Sequence, residues 1–320
     1  MNADDCILAV SVYTDTVIFL IQNMNHFDKI SDFCKAISIK APEHPLFSIS
    51  FGNKEECGGD DIEFSSNFYI VSFQNLESGN IKHGKTKFDH DQGKLLFIKP
   101  RQTITFKNIK LKDECFLILI HEDFLAGAAL HHEIKKYGYF DYETNEALYL
   151  SPGEEEMIWN LVTVMNREYC NNTDDLTRTI LLSHLDVLLK YAQRFYRRQF
   201  TNRTELTGSS ATKFNQLLRS YFETKKPREY GLPTVTFMAE KFNFSSRYLS
   251  DVLKQETGKT ALELIHLYIV NEAKNLLKEG HMNIAEISHS LGFENPSYFS
   301  RLFKKEAGVS PHHFRDQFLN

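Results

Sequence analysis

The sequence predicts an α+β chain in two parts: a β-rich N-terminal domain followed by helices, and an all-α C-terminal domain with two helix-turn-helix units joined by a linking helix. Three observations carry this prediction. Short β-rich runs recur along residues 46–121, helical periodicity takes over after Leu150, and one motif occurs twice near the C-terminus. A length of 320 residues suits two domains, and 42% hydrophobic with 25% charged residues describes a folded chain.

The β-rich runs are Leu46–Phe51, Phe68–Phe73, Leu95–Ile98, Thr103–Phe106 and Phe116–His121, punctuated by the polar clusters Cys57–Asp61 and Asp89–Lys94. Several short strands at near-regular spacing predict a sandwich or barrel. Ser151-Pro152 followed by Glu154, Glu155 and Glu156 is an N-cap, an N1 proline and an acidic first turn, so a helix is expected to run to about Tyr169. A second helix is expected from Asp174, with Leu176, Ile180, Leu181, Leu185, Leu188, Ala192 and Phe195 on one stripe and Arg194, Arg197 and Arg198 at its end. These helices either cover an open face of the β domain or form a dimer seam. Residues 201–212 are polar and contain Gly208-Ser209-Ser210, which predicts a linker between a first domain (1–200) and a last one (213–320).

Five cysteines, Cys6, Cys34, Cys57, Cys115 and Cys170, show no close pair, which argues against a disulfide framework or a CxxC metal or redox site and for a cytoplasmic setting. The apolar stretch from Cys6 to Ile21 follows Asp4 and Asp5 and contains Asp15, so it reads neither as a leader peptide nor as a membrane span. A strand, a hairpin or an internal start at Met24 all fit it. The net charge is −5, yet residues 205–320 hold 15 Lys+Arg against 13 Asp+Glu, so an anionic partner belongs to the C-terminal part.

The repeat runs from Val235 to Ala261 and again from Ile284 to Pro311, placing the two units at about 235–257 and 284–307. Met238 matches Ile287, Phe242 matches Leu291, Asn243 matches Gly292, and Phe244 matches Phe293. After one extra residue Tyr248 matches Tyr298, Ser250 matches Ser300, Lys254 matches Lys304 and Gly258 matches Gly308. Each copy spells helix, tight turn, helix. Asn243 or Gly292 accepts the positive φ of the turn, and Ala239 or Ser288 is small where the helices meet. Ser245 or Ser246 caps one second helix, Asn295 with Pro296 opens the other, and Gly258 and Gly308 end them. Thr260 with Glu263 forms a capping box for a linking helix that runs to Gly280.

Helical spacing turns Leu249, Val252 and Leu253, and Phe299, Leu302 and Phe303, inward. The outward faces are then Arg247, Ser250, Asp251 and Lys254 in the first copy. In the second they are Ser297, Ser300, Arg301 and Lys304, with Asn295 and Lys305 beside them. Such faces suit a major groove of double-stranded DNA: Arg forks onto guanine, Ser serves a base edge or a phosphate, and Lys neutralises phosphate. Asp251 either accepts from cytosine or is held by Arg247 and Lys254, and the salt-bridged arrangement is favoured. An ordinary solvated helix face is the bland reading of one copy; two copies with matched turns argue against it.

From about Ser210 to Leu319 the sequence resembles the AraC/XylS family of bacterial transcription regulators. The likeness is densest at Ile284, Ile287, Leu291-Gly292-Phe293, Ser297-Tyr298-Phe299, Arg301, Phe303-Lys304, Gly308, Ser310-Pro311 and Phe314-Arg315. Ser288 departs from the family's usual Ala, and Ile269 from a common Arg. The resemblance implies a seven-helix DNA-binding domain, a cupin-like barrel at the N-terminus that would hold a small effector, helices that pair two subunits, and RNA polymerase as a further partner. It leans toward an activator. No cofactor is implied, and the effector and its site are unknown.

Three rival functions compete with a ligand-sensing regulator. A cupin-type metalloenzyme needs an HxH pair with a nearby carboxylate, whereas His83, His90 and His121 are dispersed and His131-His132-Glu133 falls in a helical stretch. A DNA-repair methyl acceptor needs a metal-bound cysteine cluster, which the cysteine spacing does not supply. A regulator whose N-terminal domain only dimerises stays open beside one that senses a ligand. The expectation is therefore a non-enzyme with no metal site.

Overall fold

The computed structural model describes residues 26–52, 62–74, 76–78, 93–106, 110–111, 114–143, 146–171, 174–207, 209–224 and 226–319. The readings placed on Cys6–Ile21, Met24, Cys57–Asp61, His83, His90 and residues 89–92 lie outside them. The chain divides into two compact units, Met1–Gln199 and Phe200–Asn320.

The first unit holds strands β1 (His26–Phe27), β2 (Phe47–Gly52), β3 (Ile62–Ser66), β4 (Phe68–Gln74), β5 (Leu76–Ser78), β6 (Lys94–Ile98), β7 (Ile104–Phe106), β8 (Lys110–Leu111), β9 (Cys115–His121) and β10 (Leu148–Tyr149). All five runs read from the sequence are strands. The main sheet is antiparallel in the order β10-β6-β4-β9-β2, with Val71 opposite both Phe97 and Ile118. A second sheet, β1-β3-β7, packs with helix α1 (Ile30–Ala36) on one face of the first through Phe27, Phe33, Phe64, Phe68, Ile70 and Leu119. The described strands form separate sheets and do not close into a barrel, which corrects the cupin-like expectation.

Side-chain alternation along β4 decides what covers the other face. Phe73 meets Trp159 edge-on at 5.4 Å and Tyr69 meets Phe140 at 5.1 Å. After the one-turn helix α2 (Leu130–Glu133) comes α3 (Pro152–Cys170), which opens with the expected Ser151 N-cap and Pro152, adds a capping box through Glu154, and buries Ile158, Val162, Met165 and Tyr169. Helix α4 (Thr177–Thr207) starts three residues later than expected, because the Asp174 carboxylate accepts from the Leu176 and Thr177 amides at 2.9 Å and so caps the first turn. Leu181, Leu185, Leu188, Ala192 and Phe195 are buried, but Leu176 is 57% exposed and Ile180 is also exposed, so the stripe is narrower than the spacing suggests.

Arg198 does not end the helix. Its guanidinium reaches the Glu154 carboxylate at 2.6 Å and the Tyr149 carbonyl at 2.7 Å, and α4 continues through 201–207 where a linker was expected. Helix propagation costs little once a long helix exists, and Arg, Glu and Leu are good helix formers there.

The second unit continues with α5 (Ser210–Glu223), α6 (Lys226–Tyr230), α7 (Val235–Glu240), α8 (Ser246–Thr257), α9 (Ala261–Glu279), α10 (Ile284–Ser290), α11 (Pro296–Ala307) and α12 (Pro311–Leu319). Apart from the five-residue α6, this is the seven-helix plan that the resemblance implies. Phe214, Leu218, Met238, Leu253, Ile265, Ile287 and Phe299 share one core around α9. Ile269 is fully buried there, at the position where the family commonly has Arg. No described helix is long and apolar enough to cross a membrane.

Candidate nucleic-acid interface

The two repeated motifs fold alike down to individual hydrogen bonds. In the first, α7 is capped by Thr234, whose hydroxyl accepts from the Phe237 amide at 3.1 Å. The turn passes through Asn243 at φ 55° and closes where the Phe244 amide donates to the Ala239 carbonyl at 3.0 Å. In the second, α10 is capped by Asn283 in a capping box with Glu286, the turn passes through Gly292 at φ 92°, and the Phe293 amide donates to the Ser288 carbonyl at 3.0 Å. Ser245 caps α8, accepting from the Tyr248 amide at 3.2 Å, which decides between the two serines. Gly258 and Gly308 end α8 and α11 in left-handed conformations, and α9 begins with the Thr260–Glu263 capping box.

Leu249, Val252, Leu253, Phe299, Leu302 and Phe303 are buried, so each second helix presents its opposite face. On α8, Arg247 and Lys254 are exposed. Arg247 Nε lies 3.2 Å from the Asp251 carboxylate, which is the favoured salt-bridged arrangement. Ser250 donates its hydroxyl proton to the Ser246 carbonyl at 2.9 Å, leaving its lone pairs to accept. On α11, Ser297, Arg301, Lys304 and Lys305 are exposed and Ser300 is half-buried. Lys305 lies 3.9 Å from Glu306. Asn295 commits its carbonyl oxygen to the Ser297 amide at 2.8 Å, which leaves its NH₂ group to donate outward.

The copies differ at the matched tyrosines. Tyr248 is 1% exposed and packs edge-on against Phe200 at 5.2 Å and Phe244 at 5.0 Å, whereas Tyr298 is 45% exposed with its ring against Phe293. Tyr298 was not placed on the outward face by sequence reasoning. Its spacing to Arg301 and Lys305, three and seven residues on, is the signal that would have found it.

Behind these faces the first motif is tied to α5. The Glu256 carboxylate, near the end of α8, accepts from the Ser209 hydroxyl at 2.9 Å and from the Ser210 and Ala211 amides at 3.1 and 2.9 Å, satisfying donors at the start of α5. In the second motif Ser288 is fully buried, and its hydroxyl has no hydrogen-bond partner among the described residues. Ser288→Ala is expected to raise the stability of the full chain by about 1 kcal/mol, through relief of the orphaned hydroxyl and better helix propensity. An urea midpoint that falls instead would show that the hydroxyl is satisfied.

The described histidines His121, His131 and His132 have other partners. His121 accepts from the Asp123 amide at 3.2 Å, and His131 lies 3.0 Å from the Lys135 ammonium and edge-on to His132. Among the described residues no three His, Cys, Asp or Glu side chains gather as a metal site.

The family model described as a helix-turn-helix domain matches residues 238–317, from within α7 through most of α12. An uncharacterized HTH-type transcriptional regulator of Bacillus subtilis, YfiF, is 28% identical over 164 residues, 50% of this chain and 49% of the relative. The HTH-type transcriptional activator RhaS of Escherichia coli is 32% identical over 107 residues, 33% of this chain and 37% of the relative. The chain thus spans about half the length, or less, of these curated relatives. A crystal structure of an AraC-type transcriptional regulator from Chromobacterium violaceum is 20% identical over 32% of this chain and 93% of that one, at a TM-score of 0.26. Paired turns, matched caps and the matched family model agree: residues 238–317 form a helix-turn-helix domain, similar to those of the HTH-type transcriptional regulators YfiF and RhaS.

Proposed function

We propose that the chain is a sequence-specific DNA-binding transcription regulator that lays α8 and α11 into two successive major-groove segments. The observation that carries this reading is the duplication: two second helices with the same buried face, side-chain caps at their starts, left-handed glycines at their ends and cationic outward faces, their motifs joined by one helix. At 1.5 Å per residue the 19 residues of α9 span about 28 Å, close to the roughly 34 Å repeat of B-form DNA. Arg247, Ser250, Lys254, Asn295, Ser297, Ser300, Arg301, Lys304 and Lys305 are the contact residues of this proposal, with Asp251 holding Arg247 in place.

Lys304→Ala is expected to weaken binding to all duplexes alike and to lower the slope of log affinity against log salt by about one, as loss of one phosphate contact does. Gel shifts at two salt concentrations read this, and an unchanged slope would reject the phosphate role. Selection of duplexes from a random pool by the full chain tests the whole reading. Failure to enrich any sequence over random competitor, with or without candidate small molecules, overturns it.

The regulatory part of the proposal is an activator that pairs as a homodimer, contacts RNA polymerase and takes a small effector in its N-terminal unit. Pairing is supported by exposed apolar side chains, Met157 and Val164 on α3, Leu176 just before α4, and Ile180 and Val187 on α4. The activator role is supported by the similarity to RhaS, a transcriptional activator. A thermal-shift screen of the full chain tests the effector, since a ligand bound only by the folded state raises the melting temperature by mass action.

A further inference from the structure

The turn of the second motif rests on the backbone of α6, the segment that leads into the first motif. Gly292 sits against Gly231 and Pro227, at the end of α6: a Cβ on Gly292 would lie 2.9 Å from the Gly231 carbonyl carbon and 2.9 Å from the Pro227 carbonyl oxygen. Side chains do not mediate this contact; it is backbone on backbone. Gly231 is itself held in place. Its amide donates to the Pro227 carbonyl at 3.0 Å, its carbonyl accepts the Tyr221 hydroxyl from α5 at 3.0 Å, and its φ is 75°.

The matched turn of the first motif shows that glycine is not needed for the turn alone. Asn243 makes the equivalent turn at φ 55° with a full side chain. A glycine at 292 therefore answers a second demand, the close approach of the second motif's turn to the α6 backbone ahead of the first motif. Helix α9 joins the two motifs directly, and the Gly231–Gly292 contact ties the second motif to the segment that leads into the first. A hinge fixed at two separated points resists rotation that a single helix would allow.

We infer that Gly292, braced by Gly231 and Tyr221, is a positioning residue that fixes the angle between α8 and α11 and thereby the spacing of the two DNA segments the chain accepts. The inference rests on the groove-reading role proposed above. One base pair more or less moves the second segment by about 3.4 Å along the duplex and about 35° around it, a rotation that two braced helices do not follow.

The test uses in vitro selection from random duplexes with the full chain, followed by affinities for the selected site with one base pair inserted or deleted between its two blocks. The wild type is expected to enrich a bipartite site of one spacing and to lose about tenfold or more in affinity on insertion or deletion, equivalent to about 1.4 kcal/mol. Gly292→Asn keeps a residue that tolerates the left-handed turn and adds the obstructing Cβ. It is expected to cut that loss to about threefold or less, or to shift the preferred spacing by a base pair, with base preferences inside each block unchanged. Asn243→Gly should leave both readouts as in the wild type.

Should Gly292→Asn lose its cooperative melt, Tyr221→Phe decides, because it releases the Gly231 carbonyl without adding bulk and is expected to broaden the spacing in the same direction. Retention of the wild-type spacing and penalty in the folded variants overturns the positioning role while leaving DNA reading intact. A wild type that enriches no bipartite site overturns the groove-reading proposal and this inference with it.

Discussion

Gly292→Ala is expected to destabilise the chain by about 2–4 kcal/mol, the sum of a left-handed conformation forced on a Cβ residue and overpacking against a backbone that does not yield. The φ of 92° supplies the first part, and the 2.9 Å approach to the Gly231 and Pro227 backbone supplies the second. Gly258→Ala separates them. Gly258 also has a positive φ, 75°, but a Cβ there would meet nothing within 4 Å, so only the conformational cost of about 1–2 kcal/mol applies. Denaturant titration of both variants reads the difference. Equal losses would mean that the neighbouring backbone moves aside and that the close approach carries no energy.

Arg301→Ala is expected to weaken specific binding by about 1–3 kcal/mol, or about 5- to 150-fold, and to relax base preference at one position of the selected site. The expectation is larger than for Arg247→Ala, for a reason visible in the fold. Arg247 is held by Asp251 at 3.2 Å, so its charge is partly answered within α8. Among the described residues Arg301 has no acidic partner and stands exposed between Ser297 and Lys305 on the outward turns of α11. Competition gel shifts against the selected site and single-base variants measure both losses. An Arg301→Ala protein with wild-type affinity and preference would remove this residue from the reading face, and a larger loss for Arg247→Ala would reverse the order of the two helices.

How much of this was legible in the sequence depends on whether a feature is set locally. Caps and turns are local, and Ser151, Thr260, Asn295, Gly258 and Gly308 stand where their residue types place them. The five β runs read from the sequence, now β2, β4, β6, β7 and β9, were legible because their apolar content marks them, whereas β3 with Glu63, Ser65 and Ser66 lacks that mark. β1, β5, β8 and β10 are two or three residues long and exist only through pairing with distant partners, so no pattern announces them. The barrel was misjudged for a related reason, since closure depends on strand partners and not on strand content.

The candidate faces of α8 and α11 follow from helical spacing, and the buried apolar residues lie where that spacing puts them. The burial of Tyr248 and exposure of Tyr298 were not legible, because the difference comes from Phe200, far away in the chain. Nor was the Gly231–Gly292 approach. A glycine in a turn already has one sufficient explanation, and the second appears only when two backbones meet.

The Glu256 carboxylate has a mechanical corollary. A tug on the main chain at Ser209–Ala211 is delivered through that single side chain to the closing turn of α8. Force or slack arriving from upstream thus registers first on one of the two DNA-facing rods, and the amides of 210 and 211 should exchange with solvent in step with those of the last turn of α8.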